Sequence, residues 1–417
     1  MLMSRRTLFR RSAGIAGVAA APSSEPNPWQ QSPNPFSTLK SMTGSVERLN
    51  ADDYLARQDN LRRQMARRKI DALFVAGGTS LEYFGGMRWG VSERLFAMVI
   101  PARGDIAYVC PKFEEGRAQE QVCFGTDIRT WEEHESPYEV VRRILKDRRT
   151  SSGVVAIEPT AREYVCDGLR KACAGARFVC GEEVIAACRM VKSRKELACI
   201  ALACEITKKA YEAALRTVRE QMTQSELGRA ISLAHARLGA PGGAMVTFGP
   251  NAASPHGGLG DRKLAPGDVI LIDGGCRVEG FQSDITRTAV FGRPPDKIRS
   301  VWDIVRKAQD AAIGAARPGA PCEDVDAAAR KVIVEAGYGP DYRYFTHRLG
   351  HGVGMDGHEH PYLVRGNRLP LQPGMVCSDE PGIYIIGEFG IRIEDLIYVA
   401  EDGAHFFGDT SPALATY

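Results

Sequence analysis

The sequence predicts an α/β domain followed by an α+β domain, on three observations. From about Asp52 to Met190 short apolar runs alternate with amphipathic stretches. After "MVKSRKEL" the texture changes to long helices and then to strands rich in glycine. A turn-strand-acid pattern occurs twice in that second part. At 417 residues the chain has room for two domains of ordinary size, and 44% hydrophobic with 25% charged content is globular. A net charge of +3 is small for this length, which argues against a nucleic-acid or anionic-membrane partner for the folded part.

The first 35 residues differ in kind. "SRRTLFRRSAGIAGVAAAP" puts four arginines before a Gly/Ala-rich apolar stretch, with small residues from Val18 to Ala21 and no acid before Glu25. Ser4-Arg5-Arg6-Thr7-Leu8-Phe9-Arg10 resembles a twin-arginine export signal, which implies a periplasmic protein, or a cytoplasmic one if the signal is not used. The apolar part is too short to span a bilayer, so no stable membrane insertion is expected. Pro22, Pro26, Pro28, Pro33 and Pro35 then read as a spacer, giving 1–35 as signal plus linker. Eleven cysteines is an odd count without any C-x-x-C, which favours small buried hydrophobes over a disulfide scaffold.

Residues 47–190 form the first domain. "DALFVA", "LFAMVI", "IAYVC", "VVAIE" and "RFVC" read as strands, with "PARGD" as the hairpin turn between the second and third. "YLARQDNLRRQMARR", "PYEVVRRILKDRR" and "AREYVCDGLRKAC" read as amphipathic helices, and Tyr83, Phe84 and Trp89 as core or subunit contacts. The second domain covers 192–417. Its first helix is expected from Lys195 to Glu220, and the next starts at a capping box, Thr223-Gln224-Ser225-Glu226. "KIRSVWDIVRKAQDAAIGAARPG" and "EDVDAAARKVIVEAGYG" are further helices, each stopped by glycine or Pro-Gly.

"APGDVILIDGG" and "QPGMVCSDEPG" carry the repeat. Each runs from Pro-Gly-x-Val to an acid seven positions after its proline, Asp273 or Glu380. A second acid follows each, Asp284 after eleven positions and Glu394 after fourteen, which suggests a duplicated half-domain. A two-residue loop at Glu279-Gly280 puts Asp273 and Asp284 on one face, opposed or one diagonal step apart. A three-residue or bulged turn around Gly387 does the same for Glu380 and Glu394. Four converging carboxylates repel unless a cation compensates them. Four of the eight histidines fall within "HRLGHGVGMDGHEHP": His347, His351, His358 and His360, with His351 flanked by glycines that permit close approach. Oxygen-dominated ligation with imidazole favours Mn2+ or another divalent first-row ion over a structural zinc site.

The ordered set Asp273, Asp284, His351, Glu380 and Glu394, within "LIDGGCRVEGFQSDITRT", "GHGVGMDGHEHP", "DEPGIY" and "GIRIEDL", resembles the pita-bread dinuclear metallopeptidases, specifically the Xaa-Pro dipeptidases and aminopeptidases. The preceding domain is similar to the creatinase-type N-terminal domain of these enzymes. The resemblance implies a pita-bread catalytic domain of duplicated halves and two divalent ions, Mn2+ foremost, with Co2+ or Zn2+ as alternatives. Asp273 would chelate one ion, Asp284 and Glu394 would bridge both, and His351 with Glu380 would complete the other. A hydroxide bridging the ions would attack the bond before proline in dipeptides or short peptides, with Glu380 as proton shuttle. His256 would line the pocket, His347 would help place the substrate, and His358 would donate to the developing oxyanion.

Arg392, two before Glu394, is expected to buffer the carboxylates by a bidentate pair. Asp379 stands where an apolar residue usually precedes the glutamate, and strand alternation should turn it away from the site. His360 reads as a surface loop residue, and Arg365 as a candidate grip for a substrate's C-terminal carboxylate. The alternatives to a dipeptidase are an aminopeptidase acting on longer peptides with proline second, or a pita-bread protein retired from metal chemistry to binding or amidine hydrolysis. Family analogy further implies a homodimer or homotetramer, with the N-terminal domain reaching a neighbour's cleft.

Overall fold

The computed structural model describes residues 35–258 and 260–417. The chain divides into two compact units, 1–38 and 39–417. The export-signal and spacer expectation therefore lies, Pro35 apart, outside the described residues.

The second unit begins with α1 (Ala51–Arg68), started by a reciprocal cap in which Asn50 and Asp53 each bond the other's backbone amide. Then come β1 (Ala72–Ala76), α2 (Thr79–Gly85), β2 (Ala97–Pro101), β3 (Ala107–Pro111), α3 (Glu115–Gln121) and β4 (Asp127–Trp131). After these follow α4 (Pro137–Asp147), β5 (Val154–Ile157), α5 (Glu163–Ala172), β6 (Arg177–Cys180) and α6 (Glu182–Arg189). Among the described residues the strands make one six-stranded mixed sheet in the order β4-β3-β2-β1-β5-β6. Phe74, Val99 and Val109 from the sheet pack against Val141, Ile144, Leu145 and Leu169 from α4 and α5. Those helix positions recur at three- and four-residue intervals, so burial of one stripe accounts for the layer. The edge strand β4 and the short helices α2, α3 and α6 are additions to the sequence reading. β4 is polar because Asp127 and Arg129 pair with each other and with Arg148 and Asp147 along an exposed edge.

The rest of the chain is built from α7 (Arg194–Leu215), α8 (Gln224–Arg237), β7 (Gly242–Phe248), β8 (Val269–Val278), β9 (Phe281–Gln282) and β10 (Ile285–Val290). Next are α9 (Asp296–Ala315), α10 (Cys322–Glu335), β11 (Gly350–Gly352), β12 (Glu359–Leu363) and β13 (Val376–Asp379). The last elements are β14 (Gly382–Ile385), β15 (Phe389–Arg392), β16 (Asp395–Ala400), β17 (Gly403–Phe406) and β18 (Ala415–Thr416). Two antiparallel-rich sheets result, β18-β10-β8-β7 with β9 on β8, and β12-β11-β13-β16-β17, with β14-β15 as a separate ribbon. One continuous core runs between β8 and β10, helices α9 and α10, and strands β13 to β16, through Leu271, Val290, Trp302, Val325, Cys377 and Ile391. The first long helix stops at Leu215, short of the expected Glu220. The Thr217 hydroxyl donates to the Ala214 carbonyl at 2.7 Å, and Gln221 takes φ 63°, so the chain turns before that point.

All eleven cysteines are free, and all but Cys123 and Cys180 are buried. Burial pushes the Cys110 and Cys188 thiols up to about 12, which keeps them protonated and unreactive. Among the described residues no helix is long and apolar enough to cross a membrane.

Candidate active site

The two hairpins have the geometry that residue parity requires. At Glu279-Gly280, with φ 49° and 88°, a two-residue loop pairs Val278 with Phe281 and Arg277 with Gln282. The same register continues to Asp273 opposite Thr286, so Asp284 lies one diagonal step from Asp273 on one face. In the second hairpin Ile385 faces Phe389 across a three-residue loop whose centre, Gly387, has φ 82°. Asp379 pairs with Asp395 in unchanged register, which sets Glu380 across from Glu394 where the ladder is interrupted. Among the described residues a backbone bridge links the two hairpins, Thr286 to Glu394, with the Glu394 amide donating to the Thr286 carbonyl at 3.2 Å. β11 then brings in His351. Gly350 lies so close to β13 that an added Cβ would collide with the Ser378 carbonyl, which explains a glycine there.

These strands draw one oxygen each of Asp273, Asp284 and Glu394 within 4.8 Å of one another, and the same spacing holds for a ring nitrogen of His351 with one oxygen each of Glu380 and Glu394. A third group at this spacing joins Asp284, His351 and His358. His351 Nε2 lies 3.1 Å from Glu380 Oε1 and 3.9 Å from Asp284 Oδ2, and its Nδ1 lies 3.2 Å from the Gly352 carbonyl. A neutral ring that donates from Nδ1 to that carbonyl would leave the Nε2 lone pair facing two carboxylates, so without a cation the ring takes up a proton and donates it to Glu380. A cation between them turns this repulsion into ligation.

The electrostatics point the same way. Burial, and then Asp273, push the Asp284 carboxyl up to about 7, and burial with Asp284 and Glu380 pushes Glu394 well above the glutamate range. Glu380 goes the other way. Burial opposes its charge, but the His351 hydrogen bond and the neighbouring His347 hold it at about 2. Burial likewise opposes charge on His351, and the Glu380 hydrogen bond overrides it and lifts the imidazole. With Asp284 and Glu394 pushed toward protonation beside an ionised Glu380, the cluster cannot ionise throughout without added positive charge, so the donor set fits divalent cations.

Arg392 supplies part of that charge, though not by the expected bidentate pair. Its terminal nitrogen donates once to Asp273 Oδ2 at 2.6 Å, and its other donors go to Thr286 Oγ1 at 3.0 Å, the Tyr384 hydroxyl at 2.9 Å and the Pro255 carbonyl at 3.1 Å. Thr286 opposes Asp273 on the neighbouring strand, so its fork faces several acceptors instead of one carboxylate. Thr286 Oγ1 lies 2.6 Å from Glu394 Oε2 and 3.0 Å from Asp273 Oδ1, and His347 Nε2 lies 2.8 Å from the Tyr384 hydroxyl. Sequence reasoning missed Thr286 and Tyr384. Thr286 had a signal, since it shares the strand face of Asp284 two positions earlier.

A cleft of about 370 Å3 opens onto this cluster, lined also by His256, His347, Arg348, His358 and Arg392. His256 is exposed at its rim. A larger groove of about 1200 Å3 lies along α7 and the C-terminal strands, but it carries none of the acid cluster, so chemistry and not size locates the site. Arg365 is a correction. It is 58% exposed and paired with Asp341 at 2.8 Å, outside the cleft, because its loop turns toward α10 and the Asp341 turn. His360 pairs with Glu182 at 3.0 Å. Asp379 is fully buried, its two oxygens have no partner among the described residues, and burial with Asp395 pushes its carboxyl far up.

Residues 57–191 match the description "Creatinase/Prolidase N-terminal domain", and residues 198–401 match "Metallopeptidase family M24". The chain is 36% identical over 344 residues to a probable dipeptidase PepE of Mycobacterium tuberculosis, covering 80% of this chain and 89% of that one. The chain belongs to metallopeptidase family M24. This M24 peptidase is also 32% identical over 366 residues to an Xaa-Pro dipeptidase of Lactobacillus delbrueckii, covering 85% and 97%. Its fold matches a prolidase from Thermococcus sibiricus at TM-score 0.82 and 31% identity, over 88% of this chain and all of the other. The creatinase-type domain and the pita-bread domain expected from the sequence are both present in the M24 peptidase.

Proposed function

We propose that this M24 peptidase hydrolyses the bond before proline in dipeptides, using two divalent ions held by Asp273, Asp284, His351, Glu380 and Glu394. One observation carries the reading: four acids from two hairpins converge on an imidazole whose Nε2 faces carboxylates. The relatives named Xaa-Pro dipeptidase and prolidase support the substrate class. When bound, the ions would polarise the scissile carbonyl and lower the pKa of a water. Glu380, ionised and held by His351 and by the Ser378 hydroxyl at 3.1 Å, accepts the water's proton and passes it to the departing proline nitrogen. His358, stacked on His351 at 3.7 Å, donates to the developing oxyanion, and His347 is oriented for substrate through Tyr384. His358→Ala should lower kcat by about 10²-fold with the fold intact. A variant with the parental kcat on an Xaa-Pro dipeptide would remove that role.

Dipeptide preference follows from Arg348. Arg392 is committed to Asp273, Thr286, Tyr384 and Pro255, whereas Arg348 lines the cleft with its guanidinium 4.3 Å from the Tyr362 ring centroid and, among the described residues, no acid in ion-pair contact. A substrate's free carboxylate suits that position. Arg348→Met should raise KM about 10-fold or more for an Xaa-Pro dipeptide and much less for the same dipeptide amide, since one charge-assisted pair contributes roughly 1.5–3 kcal/mol. Equal effects on acid and amide would favour longer peptides and an aminopeptidase. Chelator-sensitive hydrolysis of an Xaa-Pro dipeptide, assayed against a dipeptide lacking proline, tests the substrate class itself.

A further inference from the structure

The loop between β11 and β12 carries His358, and it is gripped from the N-terminal domain. Thr79, at the start of α2, donates from Oγ1 to Asp356 Oδ1 at 2.6 Å. Arg189, the last residue of α6, donates to Asp356 Oδ2 at 2.7 Å and also to Glu359. Lys192 donates to the other Glu359 oxygen at 2.9 Å. On the catalytic side, the Gln282 side chain donates to the Met355 carbonyl and its backbone amide to the Gly354 carbonyl, both at 2.8 Å. The side chains of Arg189, Lys192 and Glu359 are 9%, 1% and 9% exposed, so water screens these pairs little.

His358 itself is exposed and contacts the site by stacking on His351, with the ring planes 13° apart. No hydrogen bond fixes its ring among the described residues. Its placement is therefore set by the backbone between Asp356 and Glu359, the two residues Arg189 holds. We propose that Arg189 is a positioning residue for His358, so that the N-terminal domain takes part in setting the rate of the reaction proposed above. Without Arg189 the loop keeps its Gln282, Thr79 and Lys192 contacts but loses the one side chain that ties Asp356 to Glu359 across the two flanks of the imidazole.

A double-mutant cycle tests this on the full chain. Arg189→Met should lower kcat for an Xaa-Pro dipeptide at least 10-fold with KM changed less than twofold, and Arg189→Lys should recover part of the loss. In a His358→Ala background the same Arg189→Met change should lower kcat less than twofold. An equal loss in both backgrounds marks a general structural role and overturns the proposal, as does an unchanged kcat in the single variant. If Arg189→Met does not fold, Asp356→Asn with Thr79→Val carries the same cycle. A readout without turnover separates this proposal from the substrate assignment: the His358 Cε1–H NMR resonance should move in Arg189→Met while that of His405, paired with Asp402, stays. A stationary His358 signal sinks the positioning role, whereas an inactive parent with a shifted signal sinks only the substrate.

Discussion

Glu380→Ala should abolish hydrolysis of Xaa-Pro dipeptides, a loss of about 10³-fold or more in kcat, while leaving the fold intact. The carboxylate is held well below the usual glutamate range, and it touches both His351 Nε2 and the Ser378 hydroxyl. No neighbouring group can replace it. Asp284 and Glu394 are pushed toward protonation, and Asp273 is committed to Arg392 and Thr286. The fold should survive because Glu380 sits at an interruption of the hairpin ladder, where it takes no part in strand pairing. Removing it also removes a charge that disfavours ionised Asp284 and Glu394, so the metal-free variant should melt no lower than the metal-free parent. Steady-state kinetics beside thermal melts check both parts. Turnover at the parental rate would remove the shuttle role.

Metal-free protein should lose stability between pH 5 and pH 8, with a melting temperature several degrees lower at the upper end. The direction follows from acids that bind protons more tightly folded than unfolded. Asp284, raised to about 7, and Glu394, raised well above the glutamate range, favour the folded state while protonated and lose that advantage as pH rises toward and through their folded values. His351, lifted by Glu380, acts in the same direction, since its charged form is favoured in the folded protein. Glu380, held at about 2, is ionised throughout this window and contributes no slope. Asp284 alone amounts to roughly 4 kcal/mol at most. Added Mn2+ should flatten the profile and restore activity, because bound cations take the place of the protons. A melting temperature that is flat or rises from pH 5 to pH 8 without metal would contradict the coupling.

The main elements of both domains were legible because each buries one regular stripe or run, as α4 does through Val140, Val141, Ile144 and Leu145. β4 escaped because Asp127 and Arg129 are satisfied by ion pairs at an edge, so no apolar pattern marks it. In the site, the acid quartet could be read from residue parity and His351 from its glycines, before any coordinates. Tyr384 could not. It reaches Arg392 and His347 only because β14 folds back on β15 beside the cleft, and sequence distance gives no hint of that meeting. Arg365 was singled out in the sequence and Arg348 was missed, because only the path of the loops brings Arg348 to the cleft and carries Arg365 away from it.

The acids come from hairpins more than a hundred residues apart, joined where Thr286 meets Glu394. Neither half alone holds the full set of proposed donors, so a fluctuation that parts the seam would also release ions held by that set. The rate at which chelator strips metal from the intact protein would then set an upper limit on the rate of that opening, readable under conditions where nothing has unfolded.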